Sequence, residues 1–192
     1  MARYTGPKHR LARREGKNIL EKTSPSLERR LNVPPGMHGA KGRRRFSEYS
    51  VQLREKQAAK RTYGLSEKQF HKYYETAKKV KGKTGEVLFQ LVETRLDNIV
   101  YRLGFARSRN MARQIVSHGH IKINGKTVNI PSYHVRVGEI ISVNEKFLKE
   151  ETGKMLDWLE RKANSGKINA VPSRDQIPTE ANEQLIVEFY SK

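Results

Sequence analysis

The most informative absence in the sequence is cysteine, because the 192 residues contain none. Disulfide bonds and metal sites with thiolate ligands are therefore excluded, and a reducing compartment is favoured. No stretch approaches the ~20 consecutive apolar residues of a membrane span, and no segment has the pattern of a signal peptide. Only 35% of the residues are hydrophobic, so the chain can build one or two small cores and not one large core.

Acidic residues are scarce relative to basic ones. The chain has 39 Lys and Arg against 20 Asp and Glu, which gives a formal net charge of +19. Residues 1–50 hold thirteen basic and four acidic residues, whereas residues 145–192 hold eight and nine. Polyphosphate is the natural counter-charge for such a chain. We therefore predict a nucleic-acid partner and no membrane partner, with the last quarter of the chain outside the binding surface.

Residues 94–143 have the clearest periodicity, which begins with two predicted short helices. Apolar residues recur every three or four positions in the first helix, at Leu96, Ile99, Val100 and Leu103. Thr94 and Asp97 have the spacing of a capping box. The second helix has a similar apolar stripe, formed by Met111, Ala112, Ile115 and Val116, and Ser108 can cap its first turn. The opposite side, with Arg109, Arg113 and Ser117, is predicted to be basic and exposed.

The period then changes to that of a strand. Ile121 and Ile123 flank Lys122, and Asn124-Gly125 is a strong hairpin signal. Val128 and Ile130 are expected to continue the return strand. Residues 135–143 are expected to add a further extended segment to this small sheet.

The segments on either side of this region are less uniform. Helices are predicted from Ser47 to about Tyr63, from Ser66 onward with Gln69 completing a capping box, and over residues 84–93. Residues 145–154 are expected to be helix or loop, and residues 157–162 a short strand with Trp158 packed inward. Residues 163–178 are rich in helix and strand breakers, and no element is assigned to them. Residues 182–190 form an apolar run that fits either a strand or a buried helix.

These motifs resemble a known family. The order RLDN, Gly, SR, NGK, PS and VGE within residues 95–139 is similar to the S-four RNA-binding module. MARYTGPK at the start, RREG at 13–16, PPGMHG at 34–39, QLREKQ at 52–57 and LIVEFYSK at 185–192 extend the resemblance to the S-four family of bacterial small-subunit ribosomal proteins.

The resemblance implies an α+β fold with three parts. Residues 1–45 are expected to form a basic extended tail that does not pack alone. Residues 46–93 are expected to form a helical domain that residues 178–192 complete. Residues 94–177 are expected to be the inserted S-four module, with two helices packed on a small bent antiparallel sheet.

The resemblance also implies a function without catalysis or cofactors. It implies a structural protein of the small subunit that binds 16S-type ribosomal RNA, nucleates assembly and contributes to translational accuracy. Implied neighbours are ribosomal protein S-five and messenger RNA near the channel through which it enters. The implied location is the ribosome, in the bacterial cytoplasm or in an organellar stroma if the chain is plastid-encoded.

Two alternative functions remain open. One is a free RNA-binding chaperone or stress protein built on the same module. The other is an RNA pseudouridine synthase, because RLD at residues 95–97 is similar to the catalytic motif of those enzymes. In those enzymes the motif lies in a separate domain, and Asp97 is better explained as a first-turn acid that complements the helix dipole.

No metal site is expected. Many family members have paired cysteines in the first third that hold zinc, and His9 and Ala12 stand where the first pair would lie. His118 and His120 are close in sequence, but no third ligand is evident.

The charge pattern and the resemblance together predict a set of RNA-contacting side chains. They are Arg3, Tyr4, Lys8, Arg10, Arg13, Arg14, His38, Arg43, Arg44, Arg45, Arg54, Lys56, Lys60, Arg61, Arg107, Ser108, Arg109, Arg113, Ser117, His118, Lys122 and Asn124.

Overall fold

A computed structural model of the chain describes residues 4–19, 24–41, 46–144 and 156–191. These residues confirm the predicted α+β class, with eight α-helices and one five-stranded antiparallel sheet. The helices are α1 (Lys8–Glu15), α2 (Pro25–Arg30), α3 (Glu48–Thr62), α4 (Glu67–Lys79), α5 (Thr84–Glu93), α6 (Leu96–Arg102), α7 (Arg109–Ser117) and α8 (Glu183–Ser191). The strands are β1 (Ile121–Ile123), β2 (Lys126–Thr127), β3 (Ile140–Val143), β4 (Leu159–Lys162) and β5 (Ser165–Ile168).

The chain divides into two compact units. The first comprises Met1–Tyr74 and Thr179–Lys192, and the second comprises Glu75–Pro178. The first unit is therefore assembled from two separate parts of the sequence, whereas the second is continuous.

The boundaries of α3 and α4 follow the predicted capping signals. The Ser47 hydroxyl accepts a hydrogen bond from the backbone amide of Ser50 at the start of α3, and Gly64, with φ of 63°, follows its end. Before α4, the amide of Gln69 donates to the Ser66 hydroxyl and the amide of Ser66 donates to the Gln69 side chain. Both signals act locally, which is why the sequence alone located these helix ends.

The N-terminal segment is less extended than predicted. Ala12 of α1, Leu27 of α2 and Ile19, which lies between these helices, are buried in one cluster with Ala58 of α3. These few apolar side chains are too sparse to form a core by themselves. In the structure the described part of this segment is therefore packed on α3.

Helix α8 resolves the ambiguity of residues 182–190 in favour of a helix. Ile186 is fully buried, and the ring of Tyr190 stacks on that of Tyr74 with 4.8 Å between centroids. The Gln52 side chain of α3 donates a hydrogen bond of 2.9 Å to Glu188 of α8. Tertiary contacts with α3 and α4 thus select the helix, which an apolar run alone does not specify.

The second unit packs α6 and α7 on the inner face of the sheet. The strands lie in the order β2-β1-β3-β5-β4, and every neighbouring pair is antiparallel. Buried side chains from both helices and four strands form one core, which includes Leu96, Val116, Ile121, Ile141 and Ile168. Trp158 is 2% exposed, which confirms that it packs inward beside β4.

The predicted hairpin is present, but its return strand is shorter than expected. Asn124 and Gly125 both have positive φ values, 49° and 82°, as a tight two-residue turn requires. The Asn124 side chain accepts a hydrogen bond of 3.0 Å from the amide of Ile140. Strand β2 ends at Thr127, and Ile130 is 56% exposed. Ile130 therefore does not extend the strand.

The contact between Gly166 and Leu103 predicts a steric requirement in the module. A Cβ added at Gly166 would lie 2.5 Å from Leu103 Cδ1, so Gly166→Ala must displace a buried side chain. We expect a loss of about 1–3 kcal/mol in unfolding free energy, measured by urea denaturation. The matched control is Lys167→Ala on the same strand, where the exposed side chain should matter by less than about 0.5 kcal/mol. Equal stabilities for the two variants would contradict this packing.

Candidate nucleic-acid interface

The structure separates the predicted RNA-contacting residues into distinct groups. Four arginines fall outside the described residues: Arg3, Arg43, Arg44 and Arg45. The residues whose side chains are exposed are Tyr4, Lys8, Arg10, Arg14, His38, Arg107, Ser117, His118, Lys122 and Asn124. The remaining residues are partly or fully buried: Arg13, Arg54, Lys56, Lys60, Arg61, Ser108, Arg109 and Arg113.

Some exposed cations have no intramolecular partner. Within the described part of the chain, the side chains of Lys8, Arg10, Arg14, Arg107 and Lys122 make no hydrogen bond or ion pair. We call side chains of this kind unpaired cations. Their full charge faces solvent, so they can neutralise phosphates without breaking an existing contact.

Asp97 does not have the capping role predicted for it. The N-cap of α6 is Arg95, with no side-chain cap, and the Thr94 hydroxyl instead donates to the Gln90 carbonyl. Asp97 is 3% exposed, and its carboxylate accepts hydrogen bonds of 2.8–3.0 Å from Arg95 and Arg113. Because the capping signal is local, it gave no indication that α7 supplies the partner of this carboxylate.

A second buried carboxylate lies four residues earlier in the chain. Glu93, at the end of α5, accepts hydrogen bonds from both Arg102 and the Asn98 amide. The Asn98 side-chain oxygen in turn accepts a 2.9 Å hydrogen bond from Arg109 Nε. The Arg109 guanidinium also lies 4.6 Å from the centroid of the Tyr101 ring. This network joins α5, α6 and α7.

The face of α7 that was predicted to be exposed is therefore partly inside the fold. The side chain of Arg113 is only 15% exposed, and Arg109 is half-buried. Both point toward acceptors on α6, which a helical projection of α7 alone does not reveal. Ser117, the third residue of that predicted face, is exposed. Ser108 is the N-cap of α7 and accepts a hydrogen bond from the Met111 amide, as predicted.

Several predicted cations of the first unit also have structural partners. The buried carboxylate of Glu15 pairs with Arg54 and Arg61 of α3. Arg13 donates to the backbone carbonyls of Val33 and Pro34. The Glu15 pairs hold α1 against α3, and the Arg13 hydrogen bonds fix the loop that follows α2. These guanidinium groups therefore stabilise the fold of the protein itself.

Lys56 is the clearest case of a predicted contact that the structure assigns elsewhere. Its ammonium lies 2.7 Å from Glu67 Oε1 and 4.3 Å from the centroid of the Phe189 ring, and its side chain is 6% exposed. Lys60 and the Tyr190 hydroxyl also donate to the Glu67 carboxylate. Since Lys56 is neutralised and covered, we do not carry it forward as an RNA contact.

The environment of Glu67 changes its acidity. Partial burial by itself raises the pKa, but hydrogen bonds from Lys56, Lys60 and Tyr190 outweigh it and lower the pKa of Glu67 to about 2. Burial and the hydrogen bond to Glu67 raise the pKa of Tyr190. The carboxylate of Glu67 is therefore the anionic centre of this cluster over the whole physiological range.

The module also has exposed cations outside the predicted set. Lys126 in β2 and Lys167 in β5 are exposed, and neither forms an ion pair with another described residue. The position of Lys167 is consistent with the alternation of strands, in which every second side chain faces away from the core. That alternation is the signal that could have identified Lys167.

The described ranges contain no group of three His, Asp or Glu side chains placed to hold a metal ion. The rings of His118 and His120 lie 6.1 Å apart. No helix in these ranges is long and apolar enough to span a bilayer.

Comparison with known proteins matches the chain to two family models and to full-length relatives. Residues 3–93 match the family model described as the ribosomal protein S4/S9 N-terminal domain, and residues 94–141 match the S4 domain. The chain is 52% identical to small ribosomal subunit protein uS4 of Cutibacterium acnes and 50% identical to uS4 of Marinobacter nauticus. It is also 50% identical to protein uS4A of Symbiobacterium thermophilum. Each alignment covers 100% of both chains.

The buried position of Asp97 predicts a large effect of neutralising it. Asp97→Asn leaves the guanidinium groups of Arg95 and Arg113 without their anion, so we expect unfolding free energy to fall by about 3 kcal/mol. Denaturant titration measures this loss. The control is Asp175→Asn, at an exposed first-turn position, where stability should barely change. A loss at Asp97 of no more than about 1 kcal/mol, typical of a missing helix cap, would contradict the paired arrangement.

The lowered pKa of Glu67 predicts an acid dependence of stability. Between pH 4.5 and pH 2 the unfolded chain binds a proton at Glu67 that the folded protein does not, so stability should fall as the pH falls through this window. Glu67→Gln should flatten that part of the profile. The measurement is the denaturation midpoint as a function of pH, with the exposed Glu180→Gln as control. Parallel profiles for wild type and Glu67→Gln would show that the cluster does not hold this carboxylate.

Proposed function

Because the chain belongs to the small ribosomal subunit protein uS4 family, we propose that it is a structural constituent of the small ribosomal subunit that binds 16S-type ribosomal RNA. The observation that carries this proposal is the identity of about 50% to uS4 proteins over 100% of both chains. The net charge of +19 supplies the electrostatic attraction that such a partner requires.

The mechanism rests on a division between two sets of cations. Arginines and lysines that pair with Glu15, Glu67, Glu93 and Asp97 hold the helices in place. The unpaired cations on the surface neutralise phosphates. Since the paired set fixes the backbone, the unpaired set is presented in a constant arrangement, and RNA segments that match this arrangement are bound together.

We further propose that the protein nucleates assembly of the small subunit and contributes to translational accuracy. Family membership supports these roles, together with contacts to ribosomal protein S-five and to messenger RNA near its point of entrance. The proposed location is the ribosome of a bacterial cytoplasm or an organellar stroma. Cross-linking within purified subunits tests the two contacts, and a misreading reporter in a strain depleted of the protein tests accuracy.

The enzyme alternative is disfavoured by the surroundings of Asp97. A catalytic aspartate must reach its substrate, whereas this carboxylate is 3% exposed and accepts hydrogen bonds from two arginines. The relatives are named as ribosomal proteins. An assay for uridine isomerisation in RNA should therefore give no product, and co-sedimentation with small subunits through high-salt washing should distinguish a ribosomal constituent from a free chaperone.

Arg107 and Lys122 are the module residues on which the RNA contact is tested most directly. We expect Arg107→Ala with Lys122→Ala to weaken RNA binding across sequences and to reduce the slope of log affinity against log salt by one to two units. Thermal stability should not change, because neither side chain has a partner among the described residues. Filter binding over a salt series measures the slope.

The control for this experiment is Lys162→Ala, which removes an exposed module lysine whose ammonium lies 3.3 Å from Glu160. Because that charge is already balanced, the slope should change little. Wild-type salt dependence in the Arg107 and Lys122 double variant would exclude these side chains from the interface.

A further inference from the structure

The last turn of α4 and the link to α5 concentrate positive charge that no predicted site includes. Lys78, Lys79, Lys81 and Lys83 fall within six residues, and all four side chains are exposed. In the described part of the chain, none of them makes a hydrogen bond or an ion pair. We call these four residues the lysine turn.

The lysine turn differs from the basic residues of α3 in having no acidic counterpart among the described residues. Glu15 and Glu67 each pair with two cations of α3. Residues 76–85 contain no acidic side chain. Neighbouring lysines in so short a segment lie within about one Debye length, ~8 Å at physiological ionic strength, so they repel one another in the free protein. An external polyanion would remove this repulsion.

The backbone holds the lysine turn at both ends. Ala77 and Leu88 are fully buried, and the amide of Val80 donates a 3.2 Å hydrogen bond to the carbonyl of Ala77. Gly82 has a φ of 130°, a backbone conformation that residues other than glycine rarely adopt. The lysine Cα positions are therefore set by the fold, while the ammonium groups remain free to adjust to a ligand.

We propose that the lysine turn binds the phosphate backbone of ribosomal RNA and is part of the RNA-binding surface; this inference rests on the function proposed above. A protein partner fits less well, because lysine is depleted in protein interfaces and Val80 is the single large apolar side chain exposed within residues 78–83. Lysine is a flexible point charge. The contact therefore strengthens binding and adds no sequence preference of its own.

The first test is a salt titration of the full-length protein with Lys78, Lys79, Lys81 and Lys83 all changed to Gln. Each phosphate contact contributes about 0.7–0.9 to the slope of log affinity against log salt, so the loss of four contacts should decrease the slope by about three units. The matched control changes the same four lysines to Arg, which preserves the charge and should preserve the slope. Thermal melts should be the same for all three proteins.

A second test uses a probe that leaves every lysine in place. Because the chain has no cysteine, Val80→Cys provides a unique thiol to which an iron chelate that cleaves nearby RNA can be attached. We expect localised cleavage of small-subunit RNA from Val80→Cys. The same probe at Glu180→Cys, an exposed acidic position, controls for cleavage by unbound protein.

The possible outcomes separate the two proposals. If wild type binds small-subunit RNA but the Gln variant keeps the full slope and Val80→Cys gives no cleavage, the lysine turn is not an RNA contact and the proposed function stands. If wild type itself fails to bind this RNA, the proposed function is overturned. Binding of the wild type together with a reduced slope and localised cleavage supports both.

Discussion

Two buried carboxylates, Glu93 and Asp97, impose the constraint on which the second unit depends. An isolated carboxylate inside a protein is strongly unfavourable, so each must be surrounded by cations. Arg102 supplies the partner of Glu93, and Arg95 and Arg113 supply that of Asp97. Because Arg113 belongs to α7, its ion pair with Asp97 fixes the position of α7 on α6. The hydrophobic core then needs to fit only one arrangement of these helices.

The same constraint changes how the net charge should be understood. A formal charge of +19 suggests that all basic residues are available to a polyanion. In fact each buried carboxylate forms an ion pair with one or more arginines, and these pairs are partly or wholly shielded from solvent. The charge that attracts RNA at long range is spread over the whole surface. Contact at short range is left to side chains that have no role in the fold.

The sequence predicted the features that depend on near neighbours and missed those that depend on distant ones. The caps at Ser47 and Ser108 and the turn at Asn124-Gly125 were predicted correctly, because each is defined by three or four consecutive residues. Asp97 does lie in the first turn of α6, as predicted. Its predicted capping role was wrong, because the carboxylate pairs with Arg95 and with Arg113, which lies on another helix. The prediction that Arg113 is exposed was wrong for the same reason. Periodicity gives the direction in which a side chain points from its helix, but not which other element packs against that side.

The position of α8 has a consequence for synthesis of the chain. Residues 75–178 form a continuous unit, so every segment needed for that core has been made before α8 exists. The first unit is different, since Gln52 of α3 bonds to Glu188, which lies 136 residues further along. The ribosome adds about 5–20 residues per second, and domains fold as units while the chain is being made. Lys56, whose ammonium lies over the Phe189 ring of α8, therefore stays uncovered for many seconds after α3 has been made.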